Sequence, residues 1–431
     1  MNKSLLIRRV LRIKRDFLFM NKPFYFTPLM RISIVLTVGI LTAKYSYCCM
    51  STLYWLLLSI ISFAGIIAFR KNALHQSMVL YFCIFCIGCS LTSHEMDKQQ
   101  ESPCVKSYAE LSSLDRTLLK VGEYRGHIER KFQELNIKDQ DYAVITAMVL
   151  GDKTSLDKET KDAYSISGTS HVLAVSGLHI GIIFQIFILL LGGNKKTKLA
   201  IIISVLSIWS YVILIGMPAS GVRSATMISI YCFALIAQKD AMSINNLCLA
   251  YCIMLLISPL YLFDISFQMS FLAVLSILVF YPSLVKILQP QNVLGKWSWN
   301  LLCVSLAAQI GTIPLVAYYF GRISCVSLLT SFVAIPSATL ILYLSAIILA
   351  LVPLTGLSWI GEVATYLLQL SVGCLTGITQ FDNSFFRLVS LLPGASIENV
   401  KINLPMLILI YLMIILGYML LRKAHTSKIL S

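Results

Sequence analysis

The chain has 431 residues, of which 57% are apolar and 13% charged, and a mean hydropathy of +0.79. Soluble domains carry roughly 25% charged residues, so the composition excludes a soluble protein and leaves a polytopic membrane protein with little extramembrane mass. The formal net charge of +15 does not by itself indicate a polyanionic partner. Its densest cluster, Arg8, Arg9, Arg12, Lys14 and Arg15, precedes the first apolar stretch and reads most simply as a topology signal and a contact for anionic membrane lipids.

Crossing a hydrocarbon core of about 30 Å takes about 20 apolar residues. Twelve stretches qualify: 29–47, 52–69, 76–93, 172–191, 199–216, 223–238, 243–262, 266–281, 300–320, 323–352, 357–378 and 403–421. The expected fold class is therefore an all-α polytopic membrane protein with about 12 transmembrane helices. Arg70 and Lys71, Lys195, Lys196 and Lys198, Lys239, Lys286 and Lys296, and Arg422 and Lys423 all fall on one side if both termini are cytoplasmic. The stretch 323–352 contains Pro336 and is expected to be broken or re-entrant. No secretory cleavage pattern follows the N-terminal apolar run, and Met20 offers an alternative start.

Three parts follow in order. Residues 1–93 are a basic cytoplasmic N-terminus with three transmembrane helices, 94–170 an external loop, and 171–431 a body of nine spans. Within the loop, Leu111, Leu114, Leu118, Val121, Ile128, Phe132 and Leu135 recur at helical spacing among charged residues, which predicts an external amphipathic helix. A second short helix is expected near 141–150. Cys83, Cys86 and Cys89 mimic a metal-ligand spacing. They lie in an apolar span without His or carboxylate nearby, and read as small packing residues. Cys48, Cys49 and Cys104 lie near the outer face and can oxidise, with no pairing assignable.

The most informative stretch is SGTSHVLAVSGLHIG, Ser167 to Gly181. Titratable and hydrogen-bonding groups at the mouth of a span are costly and mark a pathway or a site. On a helix, Ser176 and His179 share a face, while His171 and His179 fall about 80° from alignment. The two-histidine zinc helix needs i, i+4 spacing and a glutamate, which are lacking, so no metal and no cofactor are expected. A Ser–His nucleophilic pair stays open without an elbow or a nearby acid, as does polar bonding between helices. Three more polar sets follow. PASGVRSA holds Arg223, which reads either as a pathway residue or as an interfacial snorkelling anchor. SPLYLFDISFQMSF holds Asp264 and Gln268, four apart. AAQIGTIPLVAYYFG holds Gln309 and Thr312, followed by Pro314, which is expected to kink or break its helix.

These blocks, in this order, resemble the ComEC family of competence proteins, inner-membrane channels for DNA uptake in naturally transformable bacteria. The stretch GDKTSL at 151–156, the Ser167–Gly181 block, VRSATM at 222–227, NNLCLAYCIMLLISP at 245–259, FDISFQMSF at 263–271 and AAQIGTIPLVAYYFG at 307–321 carry the resemblance. It makes 171–431 the channel core. It implies passage of transforming single-stranded DNA, no enzyme activity of its own, a separate DNA-receptor protein and a separate cytoplasmic helicase-type motor, since no GxxxxGK[ST] phosphate loop is present. A homo-oligomer is compatible. Ser170, His171, Ser176, His179, Arg223, Gln268, Gln309 and Thr312 are the expected pathway candidates. Asp264 is expected to be structural, as a partner of Arg223, because a carboxylate beside phosphate is unfavourable.

The sequence departs from the family pattern in three ways. Only 94–110 is available for the family's OB-like outer domain. No HxHxDH motif of its metallo-β-lactamase-like domain occurs, so a short form without nuclease activity is expected. Ser331 stands where the family usually has asparagine. A small-solute transporter, an intramembrane Ser/His hydrolase and a family member without uptake function remain alternatives.

Overall fold

The computed structural model describes residues 27–46, 51–100, 113–134, 137, 139–192, 198–237, 244–352, 355 and 361–430. The Arg8–Arg15 basic cluster, Met20, Cys48, Cys49, Cys104, Leu111, Leu135, Lys195, Lys196 and Lys239 lie outside the described residues. The chain forms two compact units, one of residues 1–100 with 251–259 and one of 101–250 with 260–431.

In the first unit, α1 (Pro28–Tyr45), α2 (Thr52–Ala68) and α3 (Ala73–Gln100) pack with α3 against both others. Small residues set this packing. A Cβ on Gly39 would run into the Phe85 carbonyl, and one on Gly88 would sit 2.9 Å from the Leu36 carbonyl oxygen. Without those side chains the two backbones close up, the arrangement that small residues permit between membrane helices. Cys83, Cys86 and Cys89 are buried here as free thiols. Cys89 Sγ donates to the Gly39 carbonyl at 3.2 Å, and Thr37 meets Tyr251 hydroxyl to hydroxyl at 2.9 Å.

The second unit holds α4 (Ser113–Gln133), α5 (Asp139–Val149), α6 (Lys158–Ile166), α7 (Gly177–Leu190), α8 (Lys198–Leu214) and α9 (Ala219–Ile236). It continues with α11 (Ile265–Leu284), α12 (Val293–Phe320), α13 (Ser327–Leu351), α14 (Gly361–Ser390) and α15 (Leu404–Leu430). Helix α10 (Ile244–Ile257) has residues in both units, and a 3₁₀ turn, Pro259–Phe263, precedes α11. The strands β1 (Ile323–Ser324) and β2 (Ser396–Ile397) pair antiparallel, Ile323 opposite Ile397 and Ser324 opposite Ser396. The Arg322–Glu398 ion pair at 2.7 Å flanks them.

Helix α7 is apolar all round, and the packing shows why. Ile180, Phe184 and Ile188 face one core with α8 and α9. Ile182 belongs to a second core with α5, Tyr164, α13 and α14. The amphipathic helix of the loop is α4. It packs against α8 and α5, with Phe132 driven into the second core at 1% exposure.

Each of the twelve predicted stretches coincides with a helix, and these helices differ in length and hydropathy. Among the described residues, six helices (α1, α3, α9, α11, α12 and α13) are long and apolar enough to cross a membrane, while α2, α7, α8, α10 and the apolar part of α15 are shorter. The stretch predicted at 172 becomes helical only at Gly177, and the one predicted to end at 378 continues to Ser390. The expected breaks at Pro314 and Pro336 do not occur, since α12 and α13 run through them. Hydroxyls compensate nearby. Tyr411 donates to the Gly311 carbonyl at 2.8 Å and Ser337 to the Val333 carbonyl at 2.8 Å, and such side-chain bonds help membrane helices tolerate proline.

Candidate functional site

The Ser167–Gly181 stretch folds as a helix end, a loop and a helix start. Asp157 caps α6 by accepting from the Thr160 amide at 2.7 Å. The same helix closes with two backbone bonds, Thr169 N to Tyr164 O at 2.8 Å and Gly168 N to Ser165 O at 3.0 Å. Together with Gly168 at φ +77°, this is a Schellman closure, which places glycine in the left-handed region. Gly168 is also required sterically: a Cβ there would lie 2.5 Å from Ser327 Cβ. The loop thus presses onto the first turn of α13, where Thr330 Oγ1 donates to the Ser167 carbonyl at 2.8 Å.

The loop then alternates in burial. Ser170 and His171 are exposed, while Thr169, Val172, Leu173 and Val175 are buried. His171 keeps an exposed face, yet desolvation by the protein around its ring holds its pKa below the usual 6.5, opposed by a hydrogen bond with the Gly168 backbone. His171 is not helical, so the two histidines do not share a helix as the spacing argument assumed. They are nonetheless near enough to influence each other electrostatically.

Ser176 is the N-cap of α7. Its amide donates to His179 Nδ1 at 3.2 Å, and its hydroxyl lies 3.0 Å from the same nitrogen. Nδ1 therefore accepts, and the hydrogen bonds assign the proton of the neutral ring to Nε2. His179 is 0% exposed and Nε2 has no partner.

On α9, Arg223 is 3% exposed and its Nη1 reaches Asp264 Oδ2 at 3.4 Å. A snorkelling side chain would carry its head to water, so that reading is corrected: the guanidinium is buried and paired. Asp264 also caps α11, its Oδ1 accepting from the Ser266 amide at 3.0 Å. Beside Arg223, Ser224 sets its hydroxyl 3.3 Å from the position a Gly177 Cβ would take, so α7 and α9 touch where glycine leaves room. Gln268 is engaged at both ends: Nε2 donates to the Leu262 carbonyl at 2.9 Å and Oε1 accepts from Tyr319 at 2.9 Å. Gln309 and Thr312 are half-buried on α12, the Thr312 hydroxyl donating to its own helix at Ala308.

The structure therefore brings together Ser176 with His179, Arg223 with Asp264, and α7 with α9. No hydrogen bond or ion pair among the described residues joins Gln309 or Thr312 to the loop. Among the described residues, no three or more His, Cys, Asp or Glu side chains group as metal ligands. Sequence reasoning missed Thr330 and Tyr319, each a hydroxyl in an apolar helix whose partner is distant in sequence.

The sequence pattern of the family described as "Competence protein" matches residues 148–424. The chain belongs to the ComEC family of competence proteins. The matched region contains every candidate residue named above. Among its relatives, the "ComE operon protein 3" of Bacillus subtilis (strain 168) is 31% identical over 237 residues, 54% of this chain and 29% of that protein. The "Recombination protein 2" of Haemophilus influenzae is 22% identical over 237 residues, 51% of this chain and 30% of that protein. An uncharacterised protein of Aquifex aeolicus is 29% identical over 197 residues, 45% of each chain. The chain thus spans under half the length of these relatives. No solved structure matches.

Proposed function

We propose that this ComEC-family protein conducts single-stranded transforming DNA across the inner membrane, with about twelve spans and both termini cytoplasmic. A DNA receptor and a helicase-type motor would act as separate partners. The observation that carries this reading is the family match over 148–424, which includes the whole polar loop and its supports. The names of the Bacillus and Haemophilus relatives, "ComE operon protein 3" and "Recombination protein 2", agree with it.

The physics supports the same reading. A phosphate chain needs a wet, polar path and gains from stacking surfaces rather than base readout. The exposed Ser170 and His171 offer a hydroxyl and a planar ring. The protein around His171 favours its neutral form, so the ring offers a strand a surface to slide over more than a charge to stick to. The Ser176, Gln268, Gln309 and Thr312 side chains are half-buried and suit a supporting wall. In this reading Arg223 frames the path through Asp264 instead of touching phosphate.

The test is genetic. Delete the gene, complement it at matched protein levels with wild type or His171→Ala, and score transformation together with DNA arriving at the outer face. The expected result is blocked transformation with outer-face DNA still accumulating. Unchanged transformation after deletion would overturn the reading and favour a small-solute transporter or a member without uptake function.

One observation favours a second reading. The Ser176 hydroxyl lies 3.0 Å from His179 Nδ1, the contact that an intramembrane hydrolase would need between nucleophile and base. The same nitrogen is engaged by the Ser176 amide and Nε2 meets no carboxylate, so a helix cap explains the pair more fully.

A further inference from the structure

A second polar cluster lies in the core between α5, α6, α13 and α14. Asp382 of α14 is 0% exposed, and neither of its carboxylate oxygens has a hydrogen-bond partner among the described residues. Ser337 of α13 stands beside it, yet its hydroxyl donates to the Val333 and Ala334 carbonyls of its own helix. The next residue, Asn383, is occupied at both ends. Its Nδ2 donates to Asp141 Oδ1 at 3.0 Å and its Oδ1 accepts from Tyr164 at 3.3 Å. The Tyr164 ring packs on Phe386, with centroids 4.6 Å apart.

A bare carboxylate buried this way is costly, and the usual escape is to keep the proton. Asp141, by contrast, has the Asn383 amide as a donor. Of the groups around Asp382, Ser337 of α13 touches it, and Tyr164 of α6 feels both Asp382 and Asp141 of α5. The Arg387–Glu159 pair between α14 and α6 is at the surface, about two-thirds exposed. Burial raises the Asp382 carboxyl from its ordinary 3.8 to about 7, against the neighbouring Ser337 hydroxyl, which lowers it; Asp382 lies beyond the 357–378 stretch. A metal ion would call for more oxygen or nitrogen donors, and no set of three acidic, His or Cys side chains gathers here among the described residues.

We propose that Asp382 is a proton-binding site whose occupancy controls how the Ser167–Ser176 loop is held. The link is Tyr164. Its hydroxyl belongs to the buried cluster, while its carbonyl accepts the Thr169 amide at 2.8 Å and the Ser167 hydroxyl at 3.1 Å. Loss of the Asp382 proton leaves an unpaired negative charge in the core beside Tyr164. The drive to hydrate that charge then loosens α14 from α5 and α6, and with them the closure that fixes the loop. The site stands on its own geometry and does not depend on what crosses the membrane.

The experiment uses the full chain in lipid nanodiscs. Infrared spectra across pH should show a buried carboxylic C=O band that fades through about pH 7 and is absent at every pH from Asp382→Asn. Hydrogen exchange of residues 167–176 should match between the two proteins at about pH 6, and be at least severalfold faster in wild type at about pH 8. The sign for stability follows from linkage. A carboxyl raised in the folded state stabilises most below its unfolded value, and that stability is lost as pH rises towards about 7. The melting temperature of wild type should therefore fall over that window relative to Asp382→Asn. If the Asn amide is not accommodated, Asp382→Leu makes the same comparison without a polar group. A band that survives Asp382→Asn, or no titrating band, overturns the proton site. Equal loop exchange at both pH values overturns the link to the loop.

Discussion

Arg223 and Asp264 meet across α9 and α11 at 3.4 Å, with the guanidinium 3% exposed and the carboxylate 37% exposed. The asymmetry matters because the two partners face different penalties when left alone. A stranded Asp264 can hydrate, whereas a stranded Arg223 stays a buried, uncompensated charge.

Removing the acid should therefore harm the protein more than removing the base. Asp264→Ala also deletes the α11 cap and is expected to cost ~3 kcal/mol or more. Asp264→Asn keeps a capping oxygen and should cost less. Arg223→Met should cost least, ~1 kcal/mol, because its apolar stem fills the same space. Melting temperatures in detergent order the three. If Arg223→Met is the most damaging, the guanidinium has a role beyond this pair.

Gly168→Ala should loosen the polar loop specifically. The left-handed backbone at φ +77° costs a non-glycine residue ~1 kcal/mol, and the added methyl meets Ser327. A loss of ~2 kcal/mol is expected by combining strain with displacement of the α13 contact. Hydrogen exchange should locate the change at 167–176. Gly181, with nothing near its Cβ position, is the control and should accept alanine without loss.

His171 should work as a neutral group. Its pKa is held below 6.5 by the surrounding protein, so proton uptake by this ring belongs to acidic pH and transit near pH 7 should not depend on its charge. His171→Gln keeps a neutral hydrogen-bonding side chain and should retain transformation within a few-fold. His171→Ala should lower it by about tenfold, the scale of one lost stacking or hydrogen-bond contact. Equal loss in both variants would instead point to a need for the imidazole ring itself, as a stacking surface or as a cation.

Much of this architecture is legible in the sequence because apolar periodicity is local. The amphipathic pattern at 111–135 appears as α4, Ser113–Gln133, and every apolar stretch marks a helix. What fails is what depends on partners. Proline chemistry alone suggested breaks at Pro314 and Pro336. The hydroxyls that accompany continuous helices there come from Ser337, one residue on, and from Tyr411 on another helix. The Asp382 cluster was missed because its contacts span long separations: Asn383 reaches Asp141 and Tyr164. A local signal did exist. Leu375, Thr379, Asp382, Phe386 and Val389 recur at spacings of four and three and are all buried, which places Asp382 on the apolar stripe of an amphipathic helix.

Ser176→Ala discriminates between a cap and a nucleophile. As an N-cap, Ser176 loses its hydroxyl contact to His179 but keeps its amide bond to Nδ1. The expected cost is ~1 kcal/mol of stability, with transformation retained. His179→Ala removes the acceptor altogether and opens a hole in a fully buried position, at a larger cost of ~2–3 kcal/mol. As a nucleophile, Ser176 would instead be needed for function at unchanged stability, and Ser176→Ala would fail as completely as His179→Ala. Transformation frequency measured beside melting temperature separates the two, because a cap moves stability and a nucleophile moves activity alone.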